Sequence, residues 1–247
     1  MLKKRKNISI QEFIKNSRVI GSDETSMRIN KKNSYLWTFQ NEKASYFRSN
    51  KSRGYEVIEE VIGQDFKGVW VSDRYNAQIK QDCAHQFCIS HILRDCNYAI
   101  ETDKTKFPME LKKILKKAIR FKKRYGDEYN PNKRDIFREK ERYKKRLADI
   151  FKQRPQKESK ETLKLWNSLV CRQKELLLFL EDKNIPADNN GSERALRNRV
   201  TKRKVSGCFR SSLGAYCNDI LSSVIETAKK QKMSIMEALN PAYSFAF

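Results

Sequence analysis

Between residues 18 and 73 the chain alternates in a way that a sheet buries best. Residues 18–30 read RVIGSDETSMRIN: Val19 and Ile20 enter a strand that arrives at Asp23, and Met27 and Ile29 continue the alternation. Residues 35–39 and 44–48 are two further β runs, and Gln40 to Lys43 between them has the make-up of a hairpin turn. Three strands joined by short turns predict an antiparallel meander. The segment Tyr55–Ile62 then puts Val57, Ile58, Val61 and Ile62 on one helical face, and residues 69–73 form a short hydrophobic strand ending in Asp73. A strand reached through a helix is usually parallel to its sheet. The order β-β-β-α-β predicts an α/β fold, a mixed sheet flanked by helices, rather than a bundle.

After Pro108 the pattern changes, following a short strand around residues 86–88 and a helix from Ser90. Leu111, Ile114, Leu115, Ala118 and Ile119 recur at helical spacing, while Lys112, Lys113, Lys116, Lys117, Arg120, Lys122, Lys123 and Arg124 form an outer face without an acid. Ile136, Phe137, Tyr143, Leu147, Ile150 and Phe151 mark a second amphipathic helix. Leu163, Trp166, Leu169, Val170, Leu176, Leu177 and Leu180 mark a third, with Pro131 and Pro155 in the connections. The expected organisation is a basic segment over 1–17, poorly ordered or lightly docked, and a sheet domain whose parts are 18–104 and 184–247. A helical insertion over 105–183 separates those parts. The last part holds a helix over 213–231, with Ala215, Ile220, Leu221, Val224, Ile225 and Ala228 inward, and a shorter one near 235–239 ended by Pro241.

Fifty-three Lys and Arg stand against 30 Asp and Glu, a formal net charge of +23. Such a field draws polyanions, nucleic acid first among them, although a Lys-favouring codon usage would also raise the count. The basic face from Lys112 to Arg124 is either solvated or touches phosphate. No base-reading motif accompanies it, so contacts there would position DNA rather than read it. Six cysteines follow no secretory leader, and no apolar window approaches the length of a membrane span. Reduced thiols in a bacterial cytoplasm or its nucleoid are expected, with no membrane partner.

Residues 188–197, DNNGSERALR, concentrate the chemistry. Pro186 and Gly191 interrupt the preceding helical sequence, and a new helix starts with Glu193 in its first turn and Leu196 and Val200 on its apolar stripe. Arg194, Arg197, Arg199, Lys202, Arg203 and Lys204 follow without an acid. Asp23 within a strand, Asp73 at a strand end and Glu193 at a helix start could together hold divalent cations. Phosphodiester chemistry commonly uses two such ions about 4 Å apart, and hard carboxylate ligands suit Mg²⁺ or Mn²⁺. Ordinary roles remain open for each acid. Asn190 and Glu193 have capping-box spacing, Glu193 and Arg197 could pair, Asp23 could hold a turn, and Asp73 could cap a helix near Tyr75.

The run DNNGSERALRNRVTKRK, with SLGAYCNDILSSVIETAKKQ after it, resembles the carboxy-terminal signature of the insertion sequence 66 family of bacterial transposases. IGSDETSMRI, VSDRYNA and CISHILRD are similar to that family's first aspartate block, second aspartate block and Cys-x-x-His-x-x-Arg block. The resemblance covers residues 19–239. It implies a ribonuclease H-like catalytic domain, with the helical insertion before the third acid and a DDE triad on Asp23, Asp73 and Glu193. It further implies Mg²⁺ or Mn²⁺ as cofactor and double-stranded DNA, both transposon ends and target, as substrate. Homo-oligomers and accessory transposition proteins are further partners it allows. His91 and Arg94 are implied beside the active site, where they would contact phosphate with Arg194, Arg197, Lys202, Arg203 and Lys204. Lys112, Lys113, Lys116 and Lys117 add a second basic face. Two other readings fit: a truncated, non-catalytic DNA-binding remnant, or a ribonuclease H-like nuclease that cuts without joining. Cys83, Cys88, His91 and Cys96 have a loose zinc-site spacing, read mainly as buried thiols. No Ser-hydrolase turn or phosphate-cradling Gly-Lys loop is present.

Overall fold

The computed structural model describes residues 9–156 and 159–240. Its elements in chain order are α1 (Ile10–Lys15), β1 (Val19–Ile29), β2 (Lys32–Gln40), β3 (Ser45–Asn50), α2 (Tyr55–Ile62), β4 (Val69–Ser72), α3 (Asn76–Ile79) and β5 (Ala84–Phe87). There follow α4 (Ile89–Asp103), α5 (Lys106–Tyr125), α6 (Arg134–Phe151), α7 (Lys160–Leu169), α8 (Lys174–Leu177), α9 (Asn190–Ser206), α10 (Ser212–Lys230) and α11 (Ile235–Leu239). The strands form one five-stranded mixed sheet in the order β3-β2-β1-β4-β5. The chain divides into two compact units. One comprises the described residues up to Ala84 and from Asn189 onward, and the other runs from His85 to Asp188. The second unit includes α4, which the sequence reading grouped with the sheet.

In the first unit β1 pairs antiparallel with β2 and parallel with β4, and β2 pairs antiparallel with β3. This is the expected meander with a parallel strand added through α2. Strand alternation divides the side chains between two apolar clusters. Ile20, Trp37, Phe39 and Trp70 pack with α1 and α2, where Ile14, Val57, Ile58, Val61 and Ile62 are buried. Met27, Leu36 and Phe47 pack with Ala195 and Leu196 of α9. In the basic N-terminal segment, expected to be poorly ordered or lightly docked, Ile14 of α1 is buried. Ser9 caps α1 through its side chain, and an apolar side chain with a core to enter outweighs the surrounding lysines. Residues 1–8 of that segment and Pro241 lie outside the described residues.

The helix α10 also departs from expectation. Its buried residues are Ala215, Asp219, Ser222, Ser223, Thr227 and Ala228, whereas Ile220 and Leu221 are 47% and 49% exposed. It lies along the outer edge of β3. There Thr227 Oγ1 accepts from Ser45 N–H, Ser223 Oγ from Phe47 N–H and Asp219 Oδ2 from Ser49 N–H, at 3.1, 2.9 and 2.6 Å. Unpaired strand N–H groups choose polar partners, so the polar stripe turns inward.

The second unit is helical, as expected over most of its length. Leu111, Ile114, Leu115 and Ala118 of α5 are buried, as are Ile136, Tyr143, Leu147 and Phe151 of α6. Pro108 sits in the first turn of α5, where its missing N–H costs no bond. Two expectations fail. The third helix breaks after Leu169, resuming as α8 and a 3₁₀ turn at Leu178–Leu180. Lys122 does not belong to the solvated face. Its Nζ donates to the carbonyls of Phe179, Asp182 and Ile185 at 2.7, 2.6 and 2.7 Å, and burial pulls its pKa down to about 8. Tyr129 Oη donates to Leu180 O, and Gln86 Oε1 accepts from Phe179 N–H. These tertiary partners satisfy backbone groups that a continuous helix would have paired itself, so no proline is needed to break it.

Candidate active site

Gly21, Asp23, Thr25 and Met27 share one face of β1, the face covered by α9, because successive strand residues alternate. The close approach of α9 depends on two glycines. A Cβ on Gly21 would stand 2.8 Å from Asn189 Oδ1, from Gln40 Nε2 and from Ser192 Oγ, and one on Gly191 would stand 2.7 Å from Gln40 Nε2. Asn189 fastens the junction, donating to Ser22 O at 2.6 Å and accepting from Ser192 Oγ at 2.6 Å. Gly191 therefore lies inside the first turn of α9 as a contact residue, and not before it as a helix breaker. The N-cap is Asn189, so the capping-box role for Asn190 with Glu193 does not hold. Glu193 emerges one turn into the helix, its N–H bonded to Asn189 O.

Asp73 is the first residue after β4, on the strand parallel to β1, and its Oδ1 accepts from Tyr75 N–H at 3.0 Å. Asp23 lies within β1, opposite Thr38 of β2, and holds no turn; its Oδ1 accepts from Glu24 N–H at 2.9 Å. Burial pushes the Asp23 carboxyl up to about 7, and the charges of Glu24, Asp73 and Glu193 push in the same direction. No cation pairs with Asp23 among the described residues. The structure thus brings the three acids into one electrostatic neighbourhood. Across from Asp23, Thr38 is fully buried and its Oγ1 has no hydrogen-bond partner among the described residues. Clustered hard oxygen donors next to an orphaned hydroxyl fit a divalent cation with its water shell.

Glu24 was missed in the sequence. It points to the opposite face of β1, its side chain 3% exposed, and Oε1 accepts from Arg53 Nε and Nη2 at 2.9 and 2.5 Å. Oε2 accepts from Gln78 Nε2 at 3.0 Å. Burial and the Asp73 charge raise its carboxyl while Arg53 draws it down. The period of two was the available signal: two adjacent acids on a strand cannot serve the same face.

The expected DNA-contacting residues fall in both units. In the first, Arg194, Arg197 and Lys204 are exposed on α9. Lys202 donates to Asn218 Oδ1 at 2.8 Å, and Arg203 to Thr25 Oγ1 at 3.1 Å and to Ser26. In the second, His91 is half-buried and Arg94 exposed on α4, while α5 exposes Lys113, Lys116 and Lys117 and half-buries Lys112. Cys88 and Cys96 are buried there. Burial pushes the Cys83 thiol, in the first unit, up to about 12.

Fold and site define a mixed α/β protein with an acid cluster beside a cationic helix. The profile described as "Transposase IS66 family" matches residues 7–216, and the chain belongs to that family. A protein of Sinorhizobium fredii (strain NBRC 101917 / NGR234), named uncharacterized protein y4jO, is 39% identical over 97 residues. That stretch covers 39% of this chain and 30% of the relative. No helix among the described residues is long and apolar enough to cross a membrane.

Proposed function

We propose that this chain is the catalytic region of a DDE transposase with a ribonuclease H-like core, cutting DNA at a transposon end and joining the freed end to target DNA. The carrying observation is the convergence of Asp23 from β1, Asp73 from the end of β4 and Glu193 from the first turn of α9. Asp23 on β1 and Asp73 just past the end of the neighbouring parallel strand β4, with the helical unit between the second and third acids, support the ribonuclease H-like reading. These three carboxylates would hold Mg²⁺ or Mn²⁺, which when bound activates the attacking hydroxyl and stabilises the leaving oxygen. Asn189, Gly21 and Gly191 position Glu193 on rigid backbone, and the α9 contact shields Asp23 from bulk water.

Arg194, Arg197, Lys202, Arg203 and Lys204 hold the phosphate backbone near the acids. His91, Arg94, Lys112, Lys113, Lys116 and Lys117 are further phosphate contacts. Such contacts orient a duplex without reading its sequence. The test uses purified protein, Mg²⁺ and labelled transposon-end duplex. Asp23→Asn, Asp73→Asn and Glu193→Gln are each expected to abolish nicking and joining while leaving duplex affinity within about twofold, since contacts to phosphate carry affinity. Nicking that survives all three substitutions overturns the triad. Nicked products without joined strands in the unaltered chain would reassign it as a nuclease.

A further inference from the structure

Four residues beyond Asp23, the same face of β1 forms the floor of a cleft that the acid chemistry does not use. We infer that this cleft is a nucleotide site, taking an unstacked base of a DNA strand on its apolar floor and the attached phosphate on its cationic rim. The inference rests on the reading that the chain acts on DNA.

The cleft is partly open to solvent and lies between β1 and the end of α9 with the turn that follows it. Met27 and Leu36 form its floor, with the half-buried Phe209 beside them. Its rim carries Arg28, Lys202 and Arg203, and no carboxylate lines it. Each of these three cations donates to a neutral group: Arg28 to Lys31 O at 2.9 Å, Lys202 to Asn218 Oδ1, and Arg203 to Thr25 and Ser26. Their charge is left largely uncompensated. Lys202 Nζ also stands 5.9 Å from the centroid of the Phe209 ring. An apolar, partly aromatic surface under an uncompensated cationic rim complements a flat apolar ring that carries an anion. A nucleotide has that chemistry, and base–aromatic stacking with cationic tracking of the backbone is the general means of holding single strands.

The walls are fixed in advance. Gly207 ends α9 at φ +69, a positive φ that favours glycine, and Cys208 N–H donates to Ser206 O at 2.8 Å in a tight turn back toward β1. Phe209 then pairs with the end of β1, its N–H to Arg28 O at 3.0 Å and its carbonyl accepting from Asn30 N–H at 2.8 Å. At about 3.3 Å per strand residue, Thr25 and Met27 lie about 7 and 13 Å along β1 from Asp23. The cleft would therefore take a nucleotide one or two steps from the bond at the acids.

Cys208 lines the cleft and reports its occupancy. The full chain, in the presence of a chelator, is treated with iodoacetamide and the alkylation rate of each cysteine is followed by mass spectrometry. The exposed Cys171, in the second unit, is the internal reference. A single-stranded oligodeoxynucleotide is expected to slow alkylation of Cys208 about tenfold and leave Cys171 unchanged, tenfold being the scale of one stacked base. A fully paired blunt duplex and inorganic phosphate should protect far less. Equal protection by inorganic phosphate would reduce the cleft to an anion site and overturn the inference, as would an unchanged Cys208 rate at saturating oligonucleotide. Protection by deoxythymidine monophosphate alone would overturn the assignment to DNA. Phe209→Leu, which keeps apolar volume and removes the ring, should weaken single-strand binding about tenfold. An undiminished affinity would equally count against the inference. The footprint needs no metal and no catalysis, so Asp23→Asn protein should give the same protection, and loss of nicking leaves this result standing.

Discussion

Two helices of the first unit, α2 and α10, obey opposite rules. Both carry an apolar stripe that sequence periodicity points toward a core. In α2 the stripe is buried, with Val57, Ile58, Val61 and Ile62 all at 0–1% exposure. In α10 the large side chains Ile220 and Leu221 of the stripe are exposed and Val224 and Ile225 half-buried, while Asp219, Ser223 and Thr227 face in beside Ala215 and Ala228. The difference lies in what each helix meets. α2 covers the face of a sheet whose backbone groups are already paired, so apolar area is what it can contribute. α10 meets an edge, where a row of N–H groups needs acceptors. Asp219, Ser223 and Thr227 repeat every four helical residues, about 6.0 Å, close to the rise of about 6.7 Å between alternate residues of a strand. Amphipathicity reveals that a helix is packed; the chemistry of the neighbouring surface decides which side is packed.

The contrast can be sharpened by substitution, beginning with its apolar half. Ile58→Ala should cost about 2–5 kcal/mol, read as a lower denaturant midpoint, because it opens a cavity under α2. Next comes a pH dependence from the polar half. Burial raises the Asp219 carboxyl from 3.8 to about 6 against the pull of its bonds from Ser49. The folded state then binds the proton more tightly than the unfolded chain, so this contribution is full below about pH 4 and is lost as pH rises through about 6. Its size is about 3 kcal/mol at most. Thermal melts from pH 4 to 7 should show the decline, and Asp219→Asn should flatten it. A slope that persists in Asp219→Asn would assign it to another group. Ser223→Ala strands the buried Phe47 N–H and should cost about 1–3 kcal/mol.

What was legible follows the same division. Hydrophobic period disclosed β1 to β4, α2 and the insertion helices, because each buries apolar surface against a paired backbone. It also singled out Asp23, Asp73 and Glu193 as acids on rigid elements, and these share one neighbourhood. Contacts made across the chain were not legible. Asn189 with Ser22, Gly191 with Gln40 and Glu24 with Arg53 join residues from separate elements, and a local pattern carries no trace of such a partner. Lys122 shows the limit most plainly. It sits in an unbroken basic run and looks solvated, yet three carbonyls more than fifty residues away claim its ammonium. The break between α7 and α8 is invisible for the same reason.

The smallest expected effect separates the two helices most cleanly. Ile220 is as apolar as Ile58 and lies on a helix of the same unit, so a reading by residue type alone gives the two equal weight. The structure leaves Ile220 47% exposed and Ile58 wholly buried. Ile220→Ser should therefore change stability by no more than about 0.5 kcal/mol, as for other surface substitutions. The comparison belongs in a pair with Ser223→Ala, three residues on, where removing a single oxygen from a small side chain should cost more than removing most of an isoleucine. If Ile220→Ser proves the more damaging of the two, α10 is held by its apolar stripe after all, and the edge-capping account of the β3 border falls with it.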